Sequence, residues 1–144
     1  MKNKLPLKVG DAYVFLKTVS EADVLTFAEI TGDFSRMHTD EEFMKQTRYK
    51  TRIAHGILSI AIASTAATQI QVQANAEMPS VAYGFDRVRF IKPVYIGDTL
   101  TTKYIITEAD EATLSTIAKV EVTNQRGEVV TAAQHILKFF PLEA

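Results

Sequence analysis

Apolar and polar residues follow two different periods along this chain, and the change falls near residue 78. Before it, apolar side chains recur mainly at helical spacing. After it, they recur mainly at every second position, which is typical of strands with one buried face. Four alternating runs lie beyond that point, at 81–91, 99–107, 113–123 and 129–140, and a fifth precedes the helices at 12–17. The pattern predicts an α+β protein.

Local signals predict where the first two helices begin and end. Ser20 and Asp23 have the spacing of a capping-box variant, with Ser20 as the N-cap. Gly32 supplies a stop, because glycine readily adopts the left-handed conformation that ends helices. Thr39 and Glu42 repeat the capping-box spacing, which predicts a second helix starting at Thr39.

A third helix is predicted from residue 55 to about residue 71. The segment from 54 to 76 contains no Asp, Glu, Lys or Arg, which raises the question of a membrane span. Its apolar runs are interrupted by serine, threonine and glutamine, so a helix buried inside a water-soluble domain fits better. Such a helix needs cover on nearly every side.

These elements together predict a curved antiparallel sheet wrapped around one long central helix, which is the hot-dog fold. The four later strands are long and consecutive, which indicates hairpins, and Gly127 suits a tight turn between two of them. One domain spanning residues 1–144 is expected. Its edge strands and the remaining apolar helix face need cover, for which a homodimer or higher homo-oligomer is the simplest source.

Composition narrows the possible functions. A formal net charge of −1 argues against a nucleic-acid partner. The absence of cysteine excludes disulfides, thiolate chemistry and cysteine-based zinc sites. The lysines near the N-terminus are not followed by the apolar segment of a signal peptide, so a cytoplasmic protein without membrane association is expected.

The connection between the first two helices, residues 33–38, carries the main candidate for chemistry. Asp33 and His38 lie five residues apart on a loop held at both ends, with apolar Phe34 and Met37 expected to be buried. A carboxylate and an imidazole facing one cavity can position a water and exchange protons with it. Partial burial would raise the pKa of Asp33 and lower that of His38. Alternatively, Asp33 only ends the first helix and His38 only precedes the N-cap of the second.

Three further candidates lie on the central helix. The amide of Gly56, in the first turn, is placed to stabilise a developing oxyanion, or Gly56 merely permits close packing against the sheet. His55 is a third catalytic residue or a substrate-binding residue, or it holds the helix start. Ser64 either touches a substrate carbonyl or bonds back to its own helix, the default for a helical serine.

A metal site and a phosphate-binding surface are weaker hypotheses. His38, Asp40 and His55 match no helical pair of metal ligands, so no metal is expected. Two basic stretches could hold the phosphates of an acyl carrier, although such charges usually form a solvated face. They comprise Lys45, Arg48, Lys50 and Arg52, and then Arg87, Arg89 and Lys92.

Three segments carry a resemblance to a known family. Residues 32–40 read Gly-Asp-Phe-Ser-Arg-Met-His-Thr-Asp, residues 52–58 read Arg-Ile-Ala-His-Gly-Ile-Leu, and residues 87–98 read Arg-Val-Arg-Phe-Ile-Lys-Pro-Val-Tyr-Ile-Gly-Asp. The first two resemble the hydratase motif of the MaoC-like family, which includes the (R)-specific enoyl-CoA hydratases. The third is similar to the family's entry into its second half, so that the likeness extends over nearly the whole chain.

The resemblance implies a homodimer with a site near the subunit interface and no metal or redox cofactor. It implies hydration of a 2-enoyl thioester of coenzyme A or acyl carrier protein to an (R)-3-hydroxyacyl thioester. Asp33 and His38 would be the acid–base pair, the Gly56 amide the oxyanion donor, and Ser64 a pocket residue. The family often has Asn where this chain has Ser35, which bears on how the pair is oriented.

Two other functions remain open at this point. A hot-dog thioesterase would use the same thioester but release free thiol. A non-catalytic acyl-CoA-binding protein would keep the pocket without needing an acid or a base. The presence of both Asp33 and His38 favours the hydratase.

Overall fold

The computed structural model describes residues 4–143, and this part of the chain forms five strands and five helices. The strands are β1 (Ala12–Thr18), β2 (Ser80–Phe90), β3 (Thr99–Asp110), β4 (Ser115–Thr123) and β5 (Val129–Phe139). The helices are α1 (Glu21–Thr31), α2 (Arg36–Thr39), α3 (Glu41–Met44), α4 (Gly56–Ala63) and α5 (Thr65–Gln73). All five predicted strands are therefore present.

Helix α1 begins and ends as its sequence signals predict. The Ser20 hydroxyl accepts a hydrogen bond from the Asp23 amide, and the Asp23 carboxylate accepts one from the Ser20 amide. At the other end Gly32 has φ = 81° and donates its N–H to the carbonyl of Ala28. Satisfying the free amides in this way stabilises a helix by about 1 kcal/mol.

The prediction of a helix starting at Thr39 is wrong in its details. Ser35 and Asp40 are the N-caps, of the one-turn helices α2 and α3 respectively. Thr39 ends α2, and its hydroxyl donates to the carbonyls of Phe34 and Ser35. A carboxylate one residue later competes with the threonine hydroxyl for the helix amides, and a charged acceptor binds them more strongly.

The sheet is antiparallel throughout, with the order β1-β3-β4-β5-β2. Strands β3, β4 and β5 follow one another as hairpins, as predicted, but β2 does not pair with β3. It lies on the far edge, against β5. The connection after β2 hydrogen-bonds to Val19 at the end of β1, through Gly97 N–H and the Asp98 carbonyl, and so carries the chain across to the opposite edge.

Helices α4 and α5 together form the predicted central helix, with Ser64 between them. Their buried residues contact the sheet and include Leu58, Ile60, Ala63, Ala66, Ala67 and Ile70. The opposite face is less covered than expected, since Ile57 is 57% exposed. The curved antiparallel sheet around this helix confirms the hot-dog fold. Within residues 4–143, none of the helices has the length and apolar character needed to cross a membrane.

Candidate active site

His38 lies in α2, where its ring is fixed by a backbone carbonyl from another segment. Its Nδ1 is 2.7 Å from the carbonyl oxygen of Ile53. Because a carbonyl only accepts hydrogen bonds, Nδ1 carries the proton and Nε2 of the neutral ring keeps a free lone pair. Burial lowers the pKa of His38, and the Ile53 carbonyl offsets this only in part. The neutral form, which can accept a proton, is therefore favoured.

His55 is the N-cap residue of α4 and is almost completely buried. Its Nε2 lies 3.0 Å from the backbone oxygen of Asp33 and donates to it. Its ring stacks on His38, with 3.7 Å between ring centroids, and meets Phe27 edge to face at 4.9 Å. His55 therefore joins the start of α4 to the loop that carries Asp33. Its Nδ1 is buried, with no hydrogen-bond partner among the residues described.

Asp33 directly follows the glycine that ends α1, and its carboxylate is held by the backbone. Its Oδ1 accepts a hydrogen bond from the Ser35 amide at 3.1 Å. One carboxylate oxygen of Asp33 and one ring nitrogen each of His38 and His55 all lie within 4.8 Å of one another. A water that hydrogen-bonds to both neighbours at about 2.8 Å fits a gap of that size. Asp33 itself is exposed in the single chain, contrary to the expected partial burial.

The side chain of Ser35 organises the loop between α1 and α2. Its hydroxyl accepts a hydrogen bond from the Met37 amide at 3.3 Å, which caps α2. The turn that follows presents His38 to the Ile53 carbonyl. The position where the family often has Asn is thus occupied by a residue that still organises the loop. Phe34, in contrast, is 56% exposed, so the prediction that it is buried does not hold for one chain.

The three converging side chains have donor atoms close enough to surround one cation, but their orientation argues against it. His38 Nδ1 and His55 Nε2 each bind a carbonyl oxygen, which leaves His38 Nε2 and His55 Nδ1 as the nitrogens of these two rings that a cation could use. The rings are stacked with 27° between their planes, so a cation between them would lie out of both planes, away from the lone pairs. Asp40, the other acidic candidate ligand, instead caps α3 and pairs with Arg36. The geometry favours proton transfer over metal binding.

Gly56 begins α4 beneath the ring of Phe90. A Cβ atom at this position would lie 3.0–3.1 Å from three ring carbons, so glycine permits this close approach. His55, the N-cap, makes no side-chain hydrogen bond to the amides of the first turn. The Leu58 amide donates to the His55 carbonyl, and the amides of Gly56 and Ile57 lie at the positive end of the helix. Close packing and anion binding are therefore compatible interpretations of the same glycine.

Ser64 lies at the other end of α4, about 12 Å along the helix axis from Gly56. Its hydroxyl donates to the carbonyl of Ala61 at 2.6 Å, the default role for a helical serine. It also lines a cavity of about 490 Å³ between α5 and the strands β2 and β5. The structure thus separates Ser64 from the Asp33–His38 cluster.

Several of the basic residues are already paired. Arg52 links two helices, because its guanidinium contacts Glu21 of α1 and Glu41 of α3. Lys45, which directly follows α3, pairs with Glu42 of that helix. The sequence does not predict two parts of this site, the carbonyl of Ile53 and the ring of Phe90. No sequence pattern shows in which direction a backbone carbonyl points or which aromatic ring packs on a distant glycine.

Comparison with known proteins identifies relatives of this chain by sequence and by fold. The family model described as "MaoC like domain" matches residues 8–130. The "(R)-specific enoyl-CoA hydratase" of Rhodospirillum rubrum is 34% identical over 70% of this chain and 67% of its own length. The "3-hydroxybutyryl-CoA dehydratase" of Methylorubrum extorquens is 34% identical over 71% of this chain, and the match spans 62% of that protein.

A solved structure shows the same fold. The (R)-hydratase from A. caviae involved in PHA biosynthesis superposes with a TM-score of 0.79 at 26% sequence identity. The superposition covers 92% of this chain and 96% of the other. Since the family model matches most of the sequence and a relative 34% identical spans 70% of it, the chain belongs to the MaoC-like domain family.

Proposed function

We propose that this protein is a carbon–oxygen lyase that adds water to a 2-enoyl thioester, giving an (R)-3-hydroxyacyl thioester, or catalyses the reverse dehydration. The observation that carries the proposal is the convergence of Asp33 with His38, whose Nδ1 is bound to Ile53 while Nε2 remains free to accept a proton. Relatives named as hydratases and dehydratases of acyl thioesters support the same reaction class.

In the proposed reaction, Asp33 and His38 hold one water beside the double bond. The pair removes a proton from the water as its oxygen bonds to C3, and it delivers a proton to C2 on the same face. The net change is addition of one water, and the pair returns to its starting state. Negative charge that develops on the thioester oxygen is stabilised by the Gly56 amide.

The proposal needs no metal or redox cofactor, because every proton transfer has a protein group to carry it. Coenzyme A or acyl carrier protein enters as part of the substrate. Alkene hydration requires both a proton acceptor and a proton donor close to the same two carbons, and the Asp33–His38 pair supplies them.

The direct test is to supply a panel of 2-enoyl-CoA thioesters and follow the loss of the conjugated absorbance. We expect hydration of at least one member, with chiral analysis giving the (R)-alcohol. A thiol reagent in parallel samples tests the thioesterase alternative. Free thiol without loss of the double bond would contradict the hydratase proposal, and so would an inert panel.

The pH dependence of this reaction follows from His38. It must be neutral to accept a proton, and burial lowers its pKa from the ordinary value of 6.5. The acid limb of kcat/KM should therefore be centred below pH 6.5, because kcat/KM reports the ionisation of groups in the free enzyme. Initial rates across neutral and mildly acidic pH check this, and an acid limb centred above 6.5 would contradict the assignment.

We further propose that a second copy of the chain completes the site. Phe34, Ile57 and Phe90 are large apolar residues next to Asp33 or Gly56, and each is about half exposed in the single chain. Covering them would also exclude water from around the pair. Sedimentation at the enzyme concentrations used for assay should show a dimer or larger assembly. A monomer of full activity would rule this out.

A further inference from the structure

The cavity beside Ser64 has a lining of mixed polarity that contains no charged residue. It lies between α5, the first residues of β2 and the second half of β5, and has a volume of about 490 Å³. Its polar lining residues are Ser64, Thr68, Gln71, Asn75, Ser80 and His135, and its apolar ones include Ala67, Met78 and Leu137. A pocket built only for an alkyl chain would not contain so many hydrogen-bonding groups.

Several of these polar groups are satisfied within the protein. Ser80 Oγ donates to Gln71 Oε1 at 2.8 Å, and Gln71 Nε2 donates to the carbonyl of Ala67 at 2.7 Å. The hydroxyl of Ser64 is bound to its own helix. These contacts hold the wall of the cavity in place.

His135 differs from these polar groups, because only one of its two ring nitrogens is hydrogen-bonded among the residues described. Its Nδ1 is 2.8 Å from the hydroxyl of Tyr104, and its ring stacks on Phe85 with 4.4 Å between centroids. The residue is only 1% exposed, and its Nε2 has no hydrogen-bond partner among residues 4–143. Burial lowers the pKa of His135 to about 4, so the ring is neutral at physiological pH. Leaving a buried polar atom unpaired is unfavourable, so Nε2 requires a partner, which is either a water or a ligand atom.

The cavity and the catalytic groups lie along the same line of contact between the central helix and the sheet, which we call the seam. Gly56 and Ser64 begin and end α4, about 12 Å apart. Strand β2 runs alongside, with Ser80 and Ala82 lining the cavity at one end and Phe90 over Gly56 at the other. If the thioester oxygen binds the Gly56 amide as proposed, an acyl chain that follows this seam runs toward His135.

We propose that His135 is a specificity-determining residue and that its Nε2 hydrogen-bonds to an uncharged oxygen, a hydroxyl or a keto group, on the distal part of the acyl chain. This inference rests on the proposed function only in taking an acyl thioester as the ligand. A distal carboxylate is disfavoured, because no lining residue carries a compensating positive charge. A neutral imidazole pairs with a hydroxyl in either tautomer and with a keto group when Nε2 is protonated.

The test compares acyl-CoA pairs that differ only in a distal hydroxyl or keto group. Binding of saturated thioesters of short to medium length is measured by calorimetry, which does not require turnover. Hydration of the matching 2-enoyl thioesters is measured separately. We expect the wild-type protein to bind the oxygenated member of at least one pair roughly tenfold more tightly than its alkyl counterpart.

Two variants assign that preference to one atom. In His135→Asn, the shorter amide can still accept from Tyr104 at the former Nδ1 position but has no atom at Nε2, so the preference should disappear. Tyr104→Phe removes the other hydrogen bond and leaves Nε2, so the preference should remain. Thermal melts verify that each variant is folded.

The outcomes separate the two proposals. A wild-type protein that binds both members of every pair equally would overturn the inference, whatever its hydratase activity. A preference that survives in His135→Asn would also overturn it, and would fit a buried water on Nε2. If the preference is lost in His135→Asn while no enoyl thioester is hydrated, the inference stands for binding and the proposed reaction fails.

Discussion

Asp33→Asn and His38→Asn are each expected to lower kcat by about a hundred- to ten-thousandfold, the range attributed to a positioned acid or base. Both changes spare the local structure. Asn at position 33 can still accept from the Ser35 amide, and Asn at position 38 can place an amide N–H where Nδ1 now donates to Ile53. What each variant loses is the group that exchanges protons. Steady-state hydration of the best enoyl-CoA in the panel measures the effect.

Asp40→Asn is the matched control for these variants. It makes the same chemical change close by, but Asn also caps helices, so α3 and the activity should be retained. Because Asp33 and His38 act as a unit, the double variant should be little slower than the worse single variant. Near-wild-type rates in either single variant, with the fold intact by circular dichroism, would remove that residue from the mechanism.

Gly56→Pro is expected to lower kcat about a hundred- to a thousandfold relative to Gly56→Ala, the loss typical of one oxyanion donor. Both substitutions add a Cβ atom beneath Phe90, but only proline removes the amide N–H. Proline is well tolerated at the first position of a helix, and His55 before it has φ −61° and ψ 132°, the extended conformation that a following proline requires. Single-turnover hydration compares the two variants.

Crowding at Phe90 is the main confounding effect, because the added Cβ would lie 3.0–3.1 Å from the ring. Repeating the comparison in a Phe90→Ala background removes the contact from both variants. The difference between proline and alanine should persist there if the amide binds the thioester oxygen. If it vanishes in that background, Gly56 serves packing alone.

Local order in this protein follows closely from local sequence. The Ser20–Asp23 capping box and the Gly32 stop delimit α1 as predicted, because their contacts reach only a few residues along the chain. The five strands appear where apolar residues alternate, since burying one face of a sheet depends on that period. The N-cap of α3 is Asp40, one residue after the predicted Thr39, because two adjacent capping residues compete for the amides of the same turn.

Sequence by itself thus determined the five strands, α1, the central helix and the hot-dog class, and it predicts Asp33 and His38 as the pair for proton transfer. Only the tertiary structure decided that β2 lies at the far edge beside β5, that the Ile53 carbonyl selects the tautomer of His38, and that His135 lines a cavity and has Nε2 unpaired among the residues described. The physical reason is that the residues in these contacts are far apart along the chain. Periods and caps act between near neighbours, whereas these contacts join residues that only the packing of helices against the sheet brings together.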